Sequence, residues 1–210
     1  MTHRTGRLGG IMLDRTIPFY NTILRCDKYT FQPITLPDAY RIVSYQPGFE
    51  QDWARLEYSA GDFDSEKEAV EYFQSKYLSG DGSTDDLLFT LDKTGKVVGS
   101  CISWTDDRNG HPVNSLHWLI VEEGCQRKGL GRALCIAVMN RFYQKGCEPV
   151  YIHTQPWSWK AILLYSSLGF RIQKTDTFSA YINQYREAME TLKGILPEEQ
   201  YSMLEKAAEE

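Results

Sequence analysis

Gln126-Arg127-Lys128-Gly129-Leu130-Gly131-Arg132 is the stretch that decides how this chain is read. It follows an apolar run, Leu119-Ile120-Val121. It opens a segment, Gly129 to Lys145, in which Leu130, Leu134, Ala137, Val138 and Phe142 share one helical face. Glycines in such a loop let the backbone turn closely enough for several N–H groups to point at one anion. The helix start adds its partial positive charge, and Arg127, Lys128 and Arg132 add three cations. This chemistry suits a pyrophosphate, although a solvated basic loop that merely starts a helix would use similar letters. Two better-known phosphate loops fail on the same residues. Gly124 and Gly129 have P-loop spacing, but Leu130 stands where that loop needs Lys. Gly129 to Leu134 lacks the third glycine of a dinucleotide fingerprint, and its first glycine lies too far beyond the strand.

Working outward, Ser115 to Val121 reads as the strand before the loop, preceded by a polar loop from Asp106 to Pro112. Leu87 to Leu91 and Val97 to Trp104 read as an antiparallel pair joined at Lys93-Thr94-Gly95-Lys96. Upstream, Tyr40 to Tyr45 is a strand stopped by Pro47-Gly48, followed by helices over Phe49–Ser59 and Ser65–Leu78. Ser65 with Glu68 is a capping-box pattern for the second helix, and Gly80 to Ser83 is a loop. Downstream come a strand at Val150–Thr154, a helix at Trp159–Leu168, a strand at Phe170–Gln173 and two polar helices split at Pro197. The predicted order is β-α-α-β-β-β-α-β-α-β, a mixed α/β fold with a C-terminal helical extension. Residues 1–37, with Pro18, Pro33 and Pro37, read as an irregular N-terminal extension, 38–176 as the domain and 177–210 as the helical extension.

Composition bounds the function without naming it. The 210 residues carry a net charge of −5. From Asp176 onward there are 3 basic and 8 acidic residues, so the tail holds the whole imbalance and residues 1–175 balance at 20 against 20. A neutral body with an acidic tail argues against duplex nucleic acid as a partner. No apolar run is long enough to span a membrane, and Ile11-Met12-Leu13 is broken at once by Asp14-Arg15, so neither membrane nor signal segment is expected. Five cysteines (26, 101, 125, 135, 147) form no CxxC pair and read as free thiols of a cytoplasmic protein. Four histidines without metal-binding spacing give no reason to expect a metal.

A second motif joins the first. Ala161-Ile162-Leu163-Leu164-Tyr165-Ser166-Ser167-Leu168-Gly169-Phe170 lies about 30 residues beyond the glycine loop. Together the two resemble the GNAT superfamily of acyl-CoA-dependent N-acyltransferases over roughly residues 38–176. That family's loop runs Gln or Arg, two residues, Gly, one residue, then Gly or Ala, as Gln126 to Gly131 does. Its last helix-turn-strand is usually Ala-Ile-x-x-Tyr-x-x-x-Gly-Phe.

The resemblance implies the roles. Acetyl-CoA would be the acyl donor, with Gln126 opening the loop and the backbone N–H groups of Arg127, Lys128, Gly129, Gly131 and Arg132 cradling its pyrophosphate. Leu119, Ile120 and Val121 would splay from Val150–Thr154 and pair with pantetheine, and an N–H near Leu119 would stabilise the oxyanion. Tyr165 would be the general acid that protonates the departing thiolate. Relatives often carry Asn where this chain has Ser158, which can cap the last helix and hydrogen-bond pantetheine. Arylalkylamine acetyltransferases have a histidine at the position of His117, implying a proton relay; by strand alternation His117 shares a face with Leu119 and Val121. Glu122, with Glu123, is an acidic candidate for the base, and His153 a weaker one.

The expected activity is acetyl or short-acyl transfer to a primary amine of a small molecule. Asp52, Glu57, Asp106 and Asp107 could attract its cation. The rivals are a non-catalytic acyl-CoA-binding module and a peptide or protein N-acetyltransferase. The tail stripe Ile182, Tyr185, Ala188, Met189, Leu192 and Leu196 packs either on the parent domain or on a second copy in a homodimer.

Overall fold

The computed structural model describes residue 14, residues 16–79 and residues 83–209. Gly80 to Gly82 of the expected loop, and Ile11 to Leu13 with Arg15, lie outside the described residues. One mixed seven-stranded sheet runs in the order β2-β3-β4-β5-β6-β1-β7. Its strands are β1 (Thr22–Cys26), β2 (Tyr40–Ser44), β3 (Leu87–Asp92), β4 (Val97–Arg108), β5 (His111–Val121), β6 (Val150–Thr154) and β7 (Arg171–Ile172). All neighbours are antiparallel except β5 and β6. The mixed α/β class stands, and the element order after β1 is the one read from the sequence.

β1 departs from the irregular reading of residues 1–37. Thr22-Ile23-Leu24-Arg25-Cys26 is buried on both faces, so it carries no alternation to read. Its partners, β6 and β7, lie more than a hundred residues away. The polar loop expected at Asp106–Pro112 is also a correction: β4 and β5 continue to Arg108 and His111. Asn109 (φ 54) and Gly110 (φ 82) form the two-residue turn, the left-handed pair that closes hairpins with the right twist.

Helices cover both faces. α1 (Phe49–Ala60) and α2 (Glu66–Phe73) bury Trp53, Leu56 and Phe73 against Phe89, Ile102 and Ile120. Ser65 caps α2, accepting from the Glu68 N–H at 3.1 Å. The expected helix to Leu78 widens into a π turn, Gln74–Leu78, which turns Tyr77 inward to 4% exposure. On the other face α3 (Leu130–Lys145) and α4 (Trp159–Ser167) pack Leu134, Val138 and Ile162 against Leu24, Leu116 and Ile152. α5 (Tyr185–Ile195) and α6 (Glu198–Ala207) complete that core with Met189, Leu192, Tyr201 and Leu204. The tail stripe therefore packs on the parent domain; Ile182, at 75% exposure, is the member left in solvent.

Asp176 ties the added segments to the sheet. Its carboxylate accepts from Arg25 Nη1 of β1 at 2.7 Å, Arg108 Nη2 of β4 at 2.6 Å and the Tyr151 hydroxyl of β6 at 2.8 Å. Burial alone would raise its pKa, but these donors hold the carboxyl below the usual range. Among the described residues no helix is long and apolar enough to cross a membrane.

Candidate active site

β5 and β6 pair only at Asn114–Val150 and Ser115–Tyr151, then part. On its other side β5 is bulged: Ser100 faces Ile120 and Ile102 faces His117, leaving Trp118 and Leu119 opposite Cys101 alone. Trp118 takes a left-handed φ of 49°, the mark of the extra residue. The gap widens into a cleft of about 1140 Å³ bordered by Leu116 to Val121, by Ile152 to Thr154 and by the start of α3.

The bulge corrects the face assigned to His117. Beyond it Leu119 and Val121 pack with the α3 core, whereas Trp118 and Ile120 pack with the α1–α2 core. His117 sits on that second side, its ring 6.4 Å from both Tyr77 and Trp104. Simple alternation fails because two successive residues, His117 and Trp118, turn to one face.

The loop between β5 and α3 has the conformation its letters suggested. After a single 3-10 turn, Glu123–Cys125, Arg127 (φ 61) and Gly129 (φ 82) are left-handed, which curls successive N–H groups into a concave array. Helix hydrogen bonding begins only with Ala133 N–H to the Gly129 carbonyl, at 3.0 Å. The first-turn N–H groups therefore have no partner within the helix. At Gly131 an added Cβ would meet only Leu164 Cδ2 at 3.7 Å and Val121 Cγ2 at 3.8 Å, ordinary contacts. The protein itself leaves room there for a small side chain. Gln126 Nε2 donates to the Val121 carbonyl at 3.1 Å and fixes the loop to the strand end.

The three cations do not act alike. Arg127 and Arg132 line the cleft, and Arg132 Nη1 donates to Ser167 Oγ at 2.9 Å. Lys128 turns away, donating to the Tyr40 hydroxyl at 3.0 Å and the Gly124 carbonyl at 3.2 Å. Ser158 also lines the cleft, but its side chain makes no capping hydrogen bond to α4, contrary to the expected cap.

Tyr165 lines the cleft from α4 at 5% exposure. Burial first, then the nearby thiols of Cys135 and Cys101, push its phenol well above the usual range. His117 Nε2 lies 2.6 Å from Asp106 Oδ2, and its Nδ1 lies 3.1 Å from the Tyr77 hydroxyl. Asp106 also accepts from Ser115 Oγ at 2.6 Å and pairs with Lys76 at 3.7 Å. Burial would raise the Asp106 pKa, yet the hydrogen bond and charge of His117 hold it below the usual range. As a carboxylate, Asp106 accepts from His117 Nε2–H, and in the neutral ring Nδ1 is then the acceptor that faces the Tyr77 hydroxyl.

Glu122 is not brought into the cleft. It is paired with Arg55 at 2.9 Å and Lys96 at 2.6 Å; burial works to raise its pKa, but these cations keep it low. A carboxylate so held is a poor base. His153 does line the cleft, but it stacks on Tyr181 at 3.7 Å and meets Asn21 Oδ1 at 2.8 Å. Burial, helped by His117, pushes its pKa down to about 4.

Tyr77, the second partner of His117, was not read from the sequence, nor was Asp106 read as its first partner. A signal existed for Asp106: the Asn109-Gly110 turn sets the hairpin register and puts Trp104, Asp106, Ser115 and His117 on one face. Nothing in the local sequence pointed to the π turn that delivers Tyr77.

A parted parallel strand pair, a bulge at its edge and a left-handed loop on a helix start occur together here. The family model described as the acetyltransferase (GNAT) family matches residues 49–170. The chain belongs to the GNAT acetyltransferase family. A mycothiol acetyltransferase of Acidothermus cellulolyticus is 29% identical over 167 residues, covering 69% of this chain and 48% of that protein. The chain thus spans about half the length of that curated relative. The structure of a GNAT-family acetyltransferase from Staphylococcus aureus Mu50 shares the fold with a TM-score of 0.54 at 19% identity, covering 69% of this chain and 93% of that one. An aminoglycoside N-acetyltransferase in complex with CoA has a TM-score of 0.52 at 19% identity, covering 69% and 95%. The GNAT match ends before the tail and begins after β1, so residues outside it, including Phe19 and Tyr181, also line the cleft.

Proposed function

We propose that this GNAT protein transfers an acetyl group from acetyl-CoA to a primary amine of a small molecule. The observation that carries the reading is the continuity of the β5–β6 gap with the left-handed loop at Arg127 and Gly129. One surface thereby offers strand edge to an extended thiol arm and N–H groups to a pyrophosphate. The residues suited to hold the donor are Leu119 to Val121 by backbone, Arg127, Gly129, Gly131 and Arg132 at the loop, and Ser158 opposite. Lys128 contributes its backbone N–H, since its side chain is engaged elsewhere.

In this reading the backbone at the Trp118–Leu119 bulge polarises the thioester carbonyl as the amine attacks it. Tyr165, a phenol protonated at neutral pH, gives its proton to the departing sulfur. His117, oriented by Asp106, takes the amine proton through the Tyr77 hydroxyl or water. The name of the Acidothermus relative, mycothiol acetyltransferase, supports a small-molecule acceptor over a peptide. The test is acetyl-CoA titration followed by thiol release against a panel of primary amines. Release dependent on an amine is the expected result; CoA binding with no release from any amine would make the chain a binding module.

A further inference from the structure

Glu57 is a buried acid that the proposed mechanism does not use. It lies in the last turn of α1, lines the cleft, and is 2% exposed. Its Oε1 has no hydrogen-bond partner. The chain turns back at Gly61, with the N–H groups of Gly61 and Asp62 donating to the Glu57 carbonyl at 3.1 Å each. That turn sets the Asp62 side chain in hydrogen-bond contact with the Glu57 carboxyl, and Asp62 also lines the cleft. Burial, and then Asp62, push the Glu57 pKa well above the usual range. No arginine or lysine among the described residues pairs with Glu57.

A buried carboxyl with an unmet acceptor is costly, and native folds keep few of them. Beside the acid pair stands an aromatic wall. Trp118 of β5 lies 5.6 Å from Tyr72 and 5.7 Å from Phe63, and Tyr72 and Trp118 both face the cleft. Ring faces next to a desolvated acid favour an organic cation.

Resting on the transferase reading above, we infer that Glu57, with Asp62, binds a second, cationic group of the acceptor, distinct from the amine that is acetylated. The acceptor is then a diamine or similar dication. Its reactive nitrogen enters at the Trp118–Leu119 bulge while its other nitrogen, as an ammonium, meets the Glu57 carboxyl beside Tyr72 and Trp118, and the carboxyl proton passes to solvent as the cation binds. Glu57 is a specificity residue and takes no part in the proton transfers of the acetyl-transfer step.

Calorimetric titration of the CoA-loaded protein with alkane diamines of three to six carbons tests this, against monoamines and amino alcohols of the same lengths. At least one diamine should bind tenfold or more tightly than its matched monoamine and amino alcohol. Glu57→Gln should abolish that margin while the Kd for CoA stays as it was, which also shows that the variant is folded. Asp62→Asn, on the turn after α1, should shrink the margin and serves if Glu57→Gln does not fold. Equal binding of diamine and monoamine, or a margin that survives both substitutions, would overturn the inference. So would a margin for the amino alcohol, which would make the second group of the acceptor a neutral hydroxyl. Failure of the unaltered protein to bind CoA would instead remove the transferase reading, and this one with it.

Discussion

The two halves of the cleft are built differently. The donor half is local: one strand end, one loop, one helix start and the helix that bears Tyr165, all within the family-matched residues 49–170. Its key feature is backbone shape, and backbone shape follows from nearby letters such as Gly129 and Gly131. The half proposed for the acceptor is assembled from distant pieces. Glu57 comes from α1 and His117 from β5, where Tyr77 of a π turn and Asp106 of the hairpin hold it, while Phe19 and Tyr181 come from segments outside the family match. Its key features are side-chain encounters.

The sharpest way to break this division is Tyr165→Phe. Turnover should fall on the order of 10²-fold in a thiol-release assay while CoA binding is kept, since a general acid is worth ~10²–10⁴-fold. Undiminished turnover would reduce Tyr165 to a core residue. Asp176→Ala attacks the frame of the other half. It leaves Arg25 with Asp27 alone and Arg108 to solvent, and should cost about 1–2 kcal/mol of unfolding free energy, measured by denaturant titration. Because its folded pKa lies below the unfolded one, Asp176 stabilises fully above the unfolded value, and this is lost as pH falls through the folded value. The stability gap between the unaltered protein and the variant should thus hold from neutral pH down to about 5 and close below about 4.

Smaller effects sharpen the comparison. Asp106→Asn keeps the shape but removes the charge that fixes the His117 proton on Nε2; turnover should fall about tenfold with the Kd for CoA unchanged. Unaltered kcat would leave His117 as a packing residue. Lys128→Ala should be the mildest. Its amine already serves Tyr40 and Gly124, so CoA affinity should weaken by less than about threefold, whereas Arg132→Ala should exceed that. Equal losses at 128 and 132 would mean that Lys128 swings into the cleft.

Legibility followed the same line. The helices at Phe49–Ala60 and Leu130–Lys145 and the strand at Val150–Thr154 lie where periodicity put them. β1 escaped because a short strand buried on both faces shows no period. The shared face of His117, Leu119 and Val121 was misread because a one-residue bulge resets alternation without leaving a letter to mark it. Glu122 looked like a base from its place at the strand end; only the fold brings Arg55 and Lys96 to it.

By itself the sequence determined the family, the mixed α/β class, and the glycine loop of Gln126, Arg127, Gly129, Gly131 and Arg132 proposed to hold an anion, with Tyr165 thirty-odd residues on. These depend on backbone conformations that a few neighbouring residues impose. The tertiary structure alone decided that β5 and β6 part after two pairs, that Lys128 faces away, that His117 sits between Asp106 and Tyr77, and that Glu57 is buried with an unmet acceptor. Those features depend on which side chains meet across the sheet, and residues far apart in the chain meet only once the chain has folded.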